Sequence, residues 1–177
     1  KELKVGSDDT TWILGDSSGI VNIDNGLTTK LVTVGNRNIL MENEIKSISC
    51  GGAHTAILTE DGKVLTFGDN EFGQLGINST ENQNIDDLPM EISGNHTDII
   101  AVSCGGSHTA ILKNNGTVLT FGDNFAGQLG INSINNTQQD SPMEISGNHT
   151  DIIAVSCGGV HTACLLYTSP SPRDAQL

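Results

Sequence analysis

The chain has 177 residues, a formal net charge of −13, 21 glycines and 3% aromatic residues. This length suits one or two domains, and abundant glycine with few aromatic residues suits short strands joined by tight turns. The acidic balance argues against direct binding of nucleic acid, because recognition of phosphates requires a surplus of lysine and arginine. We therefore expect an acidic protein without a direct nucleic-acid partner.

The sequence has no apolar run long enough to cross a membrane and no signal peptide at Lys1. Because the first residue is not methionine, localisation stays unknown, with the cytoplasm or the nucleus favoured. The four cysteines form no Cys-x-x-Cys pair, and three of them share one repeated position. Neither a disulfide framework nor a zinc site is expected.

The N-terminal third, residues 1–47, predicts a degenerate copy of a unit that is clearer further on. Leu14-Gly15-Asp16-Ser17 stands 53 residues before Phe67-Gly68-Asp69-Asn70 and follows Thr11-Trp12-Ile13. The resemblance between the two places is weaker than among the later copies. We interpret this segment as a diverged repeat.

A block of ten residues then sets the pattern of the chain. Ser-Cys-Gly-Gly-Ala-His-Thr-Ala-Ile-Leu at 49–58 returns at 103–112 with Ser in place of Ala, and a third copy begins at 156–163. Residues 48–76 and 102–130 are identical at 21 of 29 aligned positions. The cysteines Cys50, Cys104 and Cys157 stand 54 and 53 residues apart. A fixed period of this size indicates an array of similar supersecondary units.

Each complete copy predicts about four short strands and no helix. Runs 54–59 and 63–67 are separated by Asp-Gly, and the next copy has Asn-Gly at the same place, which is a strong hairpin signal. Both runs carry apolar side chains on both faces, so both faces must be covered. Residues 99–103 predict a further strand and residues 90–92 a short outer one. One copy therefore predicts one antiparallel sheet.

A glycine-rich turn follows each hairpin, at 67–76 and again at 121–130. An Asp beside an Asn, as at Asp69 and Asn70, can indicate calcium binding or catalysis, but no Asp-x-Asp-x-Asp-Gly loop follows, so a structural turn is favoured. The polar loops 77–88 and 131–141 differ most between copies, as expected of exposed loops. They supply the candidate partner-binding residues Glu81, Asn82, Asp86, Asp87, Asn135, Gln138 and Asp140.

The recurring histidines His54, His108 and His161 could indicate a metal site or catalysis. Because they hold the same place in successive copies, we favour a role in packing and hydrogen bonding. We assign no catalytic residue, no metal ligand and no cofactor, and we do not expect an enzyme.

The end of the sequence departs from the repeat. From Cys164 onward it resembles one reading frame of a transposon-type sequencing adapter, and we expect residues 164–177 to be a non-native tail. A natural linker rich in serine and proline is the alternative. With a non-native tail, we expect the chain to be a truncated fragment.

The combined pattern Cys-Gly-Gly-x-His-Thr-x-x-Leu followed by Gly-x-Val-x-x-x-Gly-x-Asn-x-x-Gly-Gln-Leu-Gly resembles the regulator of chromosome condensation repeat, strongly over 48–163 and weakly over 10–47. The resemblance implies an all-β fold: a β-propeller fragment of about three four-stranded antiparallel blades, where the family propeller has about seven. The expected units are 1–47, 48–101, 102–154 and the start of a further blade at 155–163. Position 53 and its equivalents hold Ala, Ser and Val, so the tryptophan-based light sensor of one branch is not expected.

The resemblance implies a protein–protein interaction scaffold that binds a partner through its propeller loops. One alternative is guanine-nucleotide exchange on a small GTPase, and another is a cell-surface or secreted recognition protein. No exchange residue can be carried over to this chain, because exchange in the family depends on loops outside the repeat consensus. The expected partner is another protein, and a small GTPase is one candidate.

Overall fold

The computed structural model describes residues 45–83, 88–132, 137–147 and 149–167 with their side chains, and the backbone of five strands between Lys4 and Met41. This described part of the chain contains no helix, and therefore no helix that could cross a membrane. It is made of four antiparallel sheets.

The N-terminal sheet is a meander in which each strand pairs with the next. Its strands are β1 (Lys4–Val5), β2 (Thr11–Leu14), β3 (Ile20–Asp24), β4 (Lys30–Val34) and β5 (Arg37–Met41).

Two four-stranded sheets follow, and they repeat one topology in which sequential strands are neighbours. The first contains β6 (Ile45–Cys50), β7 (His54–Thr59), β8 (Val64–Gly68) and β9 (Met90–Glu91). The second contains β10 (Ile99–Cys104), β11 (His108–Lys113), β12 (Val118–Gly122) and β13 (Gln139–Glu144). A last sheet pairs β14 (Ile152–Cys157) with β15 (Thr162–Leu166).

The hairpins lie where the turn signals place them, with Gly62 and Gly116 at positive φ between their strands. The predicted unit boundaries, in contrast, all fall inside strands: 47/48 in β6, 101/102 in β10, 154/155 in β14 and 163/164 in β15. A sequence period determines the length of a repeat and leaves its phase open. The division into units stays a prediction, and residues 168–177 of the expected tail lie outside the described residues.

Each sheet has two ends with different connections. The Cys-Gly-Gly turns, the glycine-rich turns and the long loops leave one end, which we call the loop face; His54 pairs with Gly68 there. The hairpin turns at 60–62 and 114–116 and the connections between sheets occupy the other end, which we call the hairpin face. The Ile99 amide donates to the Gly62 carbonyl at 3.3 Å on that side.

Consecutive sheets bury one apolar core between them. It contains Ala56, Leu58, Val64, Ile92, Ile99, Cys104, Ile111, Leu119 and Phe121, all 8% exposed or less. We call this contact the seam. At Gly76 (φ 65°) a Cβ would lie 2.7 Å from the ring of Phe121, so a larger residue there would strain the backbone and collide with the neighbouring blade.

Direct hydrogen bonds also cross each seam. Ser49 Oγ accepts from the Cys104 amide at 2.9 Å, and the Gly52 amide donates to the Gly105 carbonyl at 3.1 Å. The next seam repeats the pattern: Ser103 Oγ accepts from the Cys157 amide at 2.9 Å. The last three sheets are thus joined in succession by bonds to backbone groups as well as by apolar burial, the arrangement expected of stacked repeats.

Candidate functional site

The loop face is built on a rigid turn at residues 69–76, which we call the first turn. The Asn70 side chain is fully buried, and its Oδ1 accepts from the Leu75 amide at 3.0 Å. Gln74 is also buried; its Nε2 donates to Asp69 Oδ2 at 2.7 Å, and its Oε1 accepts from the Phe72 amide at 2.9 Å. These bonds satisfy polar groups that burial would otherwise leave unpaired.

The second turn, residues 123–130, has the same bonds with different tip residues. Gln128 Nε2 donates to Asp123 Oδ2 at 2.7 Å, and the Leu129 amide donates to Asn124 Oδ1 at 3.1 Å. Asp123 Oδ1 also accepts from the Phe125 amide at 2.9 Å. The turns are a constant frame that presents the two variable residues at their tips, 71–72 and 125–126.

The first turn packs against the next blade at the seam. The Gln74 carbonyl accepts from the Thr109 hydroxyl at 2.8 Å, and the Asn78 amide donates to the Asp140 carbonyl at 2.8 Å. A Cβ at Gly73 would lie 2.6 Å from the Asp140 Cα. The position of the tip is therefore set by the following blade as well as by its own, which limits the freedom of the loop face.

The tips of the two turns meet in an aromatic pair. The rings of Phe72 and Phe125 pack edge to face, with centroids 6.3 Å apart and an interplanar angle of 86°. This separation lies within the range of favourable aromatic pairs. Phe125 is 68% exposed, so the pair is a surface feature. From the sequence, both positions were predicted only to be variable. The feature that could have identified them is that both are aromatic in a chain with very few aromatic residues.

Charge is distributed unevenly between the two ends of the sheets. Between Lys46 and Arg173 the sequence has two residues of the Lys/Arg type, Lys63 and Lys113, and both flank hairpin turns. Lys63 is also paired with Glu91 at 3.4 Å. The sequence has no lysine or arginine at 64–112 or at 114–172. The described carboxylates of the loop face lie in these two stretches; they are Asp69, Glu71, Glu81, Asp123 and Asp140.

The predicted partner-binding residues fall into different environments. Glu81 is exposed, whereas Asn82 Oδ1 accepts from the Asn70 amide at 2.7 Å and so supports the first turn. Gln138 is half-buried just before β13, and Asp140 is half-buried within that strand, so the predicted loop 131–141 runs into β13. Asp86, Asp87 and Asn135 lie outside the described residues. No partner contact by any of the seven has been tested, and their role stays a prediction.

The recurring histidines lie at the seam. His54 Nε2 is 2.8 Å from Thr109 Oγ1, and His108 Nε2 is 2.9 Å from Thr162 Oγ1. Burial, helped by the nearby His108, lowers the pKa of His54 to about 4, and burial also lowers the pKa of His108. His54 and His108 are neutral and buried at equivalent positions of two blades, which suits a role in packing, whereas His161 is exposed. Among the described residues, no group of three or more His, Cys, Asp or Glu side chains is placed to hold a metal ion.

The cysteines at the same seam are poor nucleophiles. Cys104 is buried, and its burial raises the pKa of the thiol to about 12. Burial also raises the pKa of Cys157. Because the thiolate is the reactive form, a thiol that stays protonated at neutral pH does not support nucleophilic catalysis.

An open groove of about 370 Å³ lies between the second turn and the sheet of β14 and β15. Its walls include Leu129, Ile145 and Val160. At the preceding seam, the ring of Phe121 on β12 lies against the first turn at Gly76. The groove lies in the equivalent place, beside the second turn. We therefore assign it to the packing of one blade against the next.

The repeated antiparallel sheets, joined by buried seams and presenting loops at one end, define an arc of β-propeller blades. The chain belongs to the regulator of chromosome condensation (RCC1) repeat family: the family model matches residues 61–112 and 115–165, and a second RCC1 repeat model matches 45–74 and 99–128. The predicted family and the predicted fold class are confirmed.

Two relatives show how much of a larger protein the chain represents. It is 37% identical over 129 residues to the X-linked retinitis pigmentosa GTPase regulator of Canis lupus familiaris, covering 72% of this chain and 12% of that protein. It is 37% identical over 134 residues to the protein RCC2 homolog of Danio rerio, covering 71% of this chain and 26% of that protein. The chain thus spans a small part of these relatives.

Among solved structures, Prp20p from Saccharomyces cerevisiae matches with a TM-score of 0.64 at 18% identity, over 99% of this chain and 45% of that chain. The crystal structure of that protein was described together with its binding properties to Gsp1p and histones. At this identity the match supports the fold.

Proposed function

We propose that the loop face is a protein-binding surface and that the protein acts as an interaction scaffold through it. The observation that carries the proposal is the contrast within each glycine-rich turn. Asn70, Gln74 and their counterparts Asn124 and Gln128 are buried and make the same bonds within their turns in both copies, whereas the tip residues differ and three of the four are exposed. A constant frame with variable tips is how loops on a rigid scaffold commonly present binding residues.

The pKa values of His54 and Cys104 are shifted far from their ordinary values, but both residues lie in seams, at positions that recur in the last three sheets. Perturbed groups indicate an active site when they converge in a cleft, and a buried repeated position is a weaker indication. The scaffold proposal therefore uses the surface and assigns the seam to stability.

Position-specific crosslinking tests this proposal. A photo-reactive amino acid is placed at Glu81 on the loop face or at Glu60, an exposed residue of a hairpin turn. In cells that make the protein, we expect a discrete protein adduct from position 81 and none from position 60. Equal adducts from both positions, or none from position 81, would contradict a loop-face scaffold.

Regulation of a small GTPase is the second candidate, and the observation favouring it is the similarity to a protein named as a GTPase regulator. The test is release of labelled guanine nucleotide from candidate small GTPases in the presence of the protein. Acceleration that is lost when Glu81 is replaced and kept when Glu60 is replaced would support it. Unchanged release across the candidates would leave the scaffold role alone.

A further inference from the structure

We infer that the Phe72–Phe125 pair and the carboxylates around it form a docking site for an arginine-rich segment of a partner protein. This inference rests on the proposed function and names the chemistry of the partner. It depends on three features of the described residues: the exposure of the pair, the way the pair is assembled, and the sign of the surrounding charge.

Phe125 is exposed because of the position that it occupies in the turn. The equivalent residue of the first turn, Glu71, is exposed although the next blade packs closely against that turn at Gly73. A phenylalanine at a position that stays exposed contributes little of the roughly 1.5–3 kcal/mol that burial of such a side chain gives. Folding therefore does not account for an aromatic residue at position 125.

The pair is assembled from positions that are not equivalent. Phe72 holds the second tip position of the first turn, and Phe125 holds the first tip position of the second turn. Their contact spans two blades, and both tips are held by the same buried Asn and Gln bonds. A ring that is 68% exposed has a face open to solvent, where the electron density of the ring attracts a cation.

The surrounding charge selects a cationic occupant. Glu71 adjoins Phe72 in the first turn, and Asp123 lies two residues before Phe125. The sequence has no lysine or arginine at 64–112 or 114–172, so neither turn supplies a cation of its own to balance these carboxylates. A second copy of this chain, with the same negative charge, would be repelled.

Arginine fits the surface better than lysine does. Its guanidinium is planar, stacks on an aromatic face and can bond a carboxylate in bidentate fashion at the same time. Lysine offers a point charge that is more strongly hydrated. We therefore expect the site to prefer an arginine-rich peptide to a lysine-rich peptide of equal charge.

Fluorescence anisotropy with short labelled peptides tests the inference. The probes are an arginine–glycine peptide, its lysine–glycine counterpart and its glutamate–glycine counterpart, each titrated with the full chain. The variants are Phe125→Leu, which keeps an apolar side chain without a ring, and Phe125→Tyr, which keeps the ring. Glu71→Gln has a matched control in Glu60→Gln on the hairpin face, and thermal unfolding verifies that each variant is folded.

We expect the arginine peptide to bind best, Phe125→Leu to weaken it about 2- to 5-fold, and Phe125→Tyr to retain it. Glu71→Gln should weaken binding more than Glu60→Gln does. The inference is overturned if Phe125→Leu binds like the parent, if both glutamate variants lose equally, or if the arginine peptide does not bind. In those cases a crosslink from position 81 would still support a loop-face partner of another chemistry.

Discussion

The His54 imidazole is hydrogen-bonded to the next blade, with its Nε2 2.8 Å from Thr109 Oγ1. The Thr109 hydroxyl donates to the Gln74 carbonyl, so its lone pairs are left to accept. His54 therefore carries its proton on Nε2 and donates it. The Thr109 hydroxyl thus bonds two residues of the preceding blade, His54 and Gln74. All three residues are buried.

Removing that hydroxyl should destabilise the seam. Thr109→Val leaves the Nε2–H of His54 and the Gln74 carbonyl buried without their partner, and we expect the free energy of unfolding to fall by about 1–3 kcal/mol. Urea denaturation measures the change. Thr97→Val, at an exposed position, is the control and should stay within about 0.5 kcal/mol of the parent. Equal losses in the two variants would contradict the role of the bond.

Stability should fall as the solution is acidified, because of His54. Its pKa in the folded protein is about 4, below the ordinary value of 6.5, so protonation favours the unfolded chain. Its stabilising contribution is complete above about pH 6.5 and is lost as the pH falls toward 4. We expect the free energy of unfolding to be about 2 kcal/mol lower at pH 5 than at pH 8. Burial lowers the pKa of His108 too, which adds an effect of the same sign.

Urea denaturation at several pH values measures this dependence. His54→Gln should show a shallower decline between pH 7 and pH 5, whereas His149→Gln, at an exposed position, should follow the parent. A decline of the same slope in His54→Gln would mean that other groups cause it.

The close approach of the Cys-Gly-Gly turns predicts a contrast between two equivalent glycines. A Cβ at Gly106 would lie 2.6 Å from the Gly159 carbonyl oxygen, whereas a Cβ at Gly159 would meet nothing within 4 Å. Gly106→Ala should therefore cost about 1–3 kcal/mol of stability through overpacking, and Gly159→Ala should be tolerated. Thermal unfolding of the two variants measures the difference, and similar midpoints would show that the seam can relax.

Two adjacent residues of the long loop should behave differently. Asn82→Ala removes the acceptor of the Asn70 amide, and we expect a loss of about 1 kcal/mol in stability. Glu81→Ala at an exposed position should change stability by less than about 0.5 kcal/mol. Chemical denaturation of both variants checks this. A neutral Asn82→Ala would show that water replaces the side-chain oxygen, and the residue would then be available to a partner.

Thiol labelling should report the integrity of the seam. Since burial raises the pKa of Cys104 to about 12, iodoacetamide at neutral pH should leave this residue unmodified in the folded protein and alkylate it in denaturant. Mass spectrometry of the digested protein measures the extent of labelling. Rapid alkylation of Cys104 without denaturant would indicate that the seam opens on the timescale of the reaction.

The repeat and its turn residues were sufficient to predict the hairpins. Asp-Gly and Asn-Gly demand the positive φ that Gly62 and Gly116 adopt, and such signals are local. The residue at which each sheet begins is not determined by local sequence. Whether a sheet starts at Ile45 or at position 48 depends on which strands pair with each other. All the predicted boundaries therefore fell inside strands.

The candidate site could be predicted only in part, for a related reason. The loops were identified by their variation, but Asn82 is directed to the backbone of Asn70, a contact that sequence spacing does not reveal. The aromatic pair was missed because aligning the copies places Phe72 opposite Ala126 and Phe125 opposite Glu71. Comparison of equivalent positions hides a contact between positions that are not equivalent.

The diagonal placement of the two rings has a consequence for the order of the blades. A propeller of like units has many similar seams, and a partner that recognised only the shared frame could dock at any of them. The Phe72–Phe125 contact requires one particular blade to precede another, because exchanging the two turns would place Ala126 and Glu71 at the junction instead. The order of the blades, and not only their individual sequences, thus makes this seam distinguishable to a partner from the other seams.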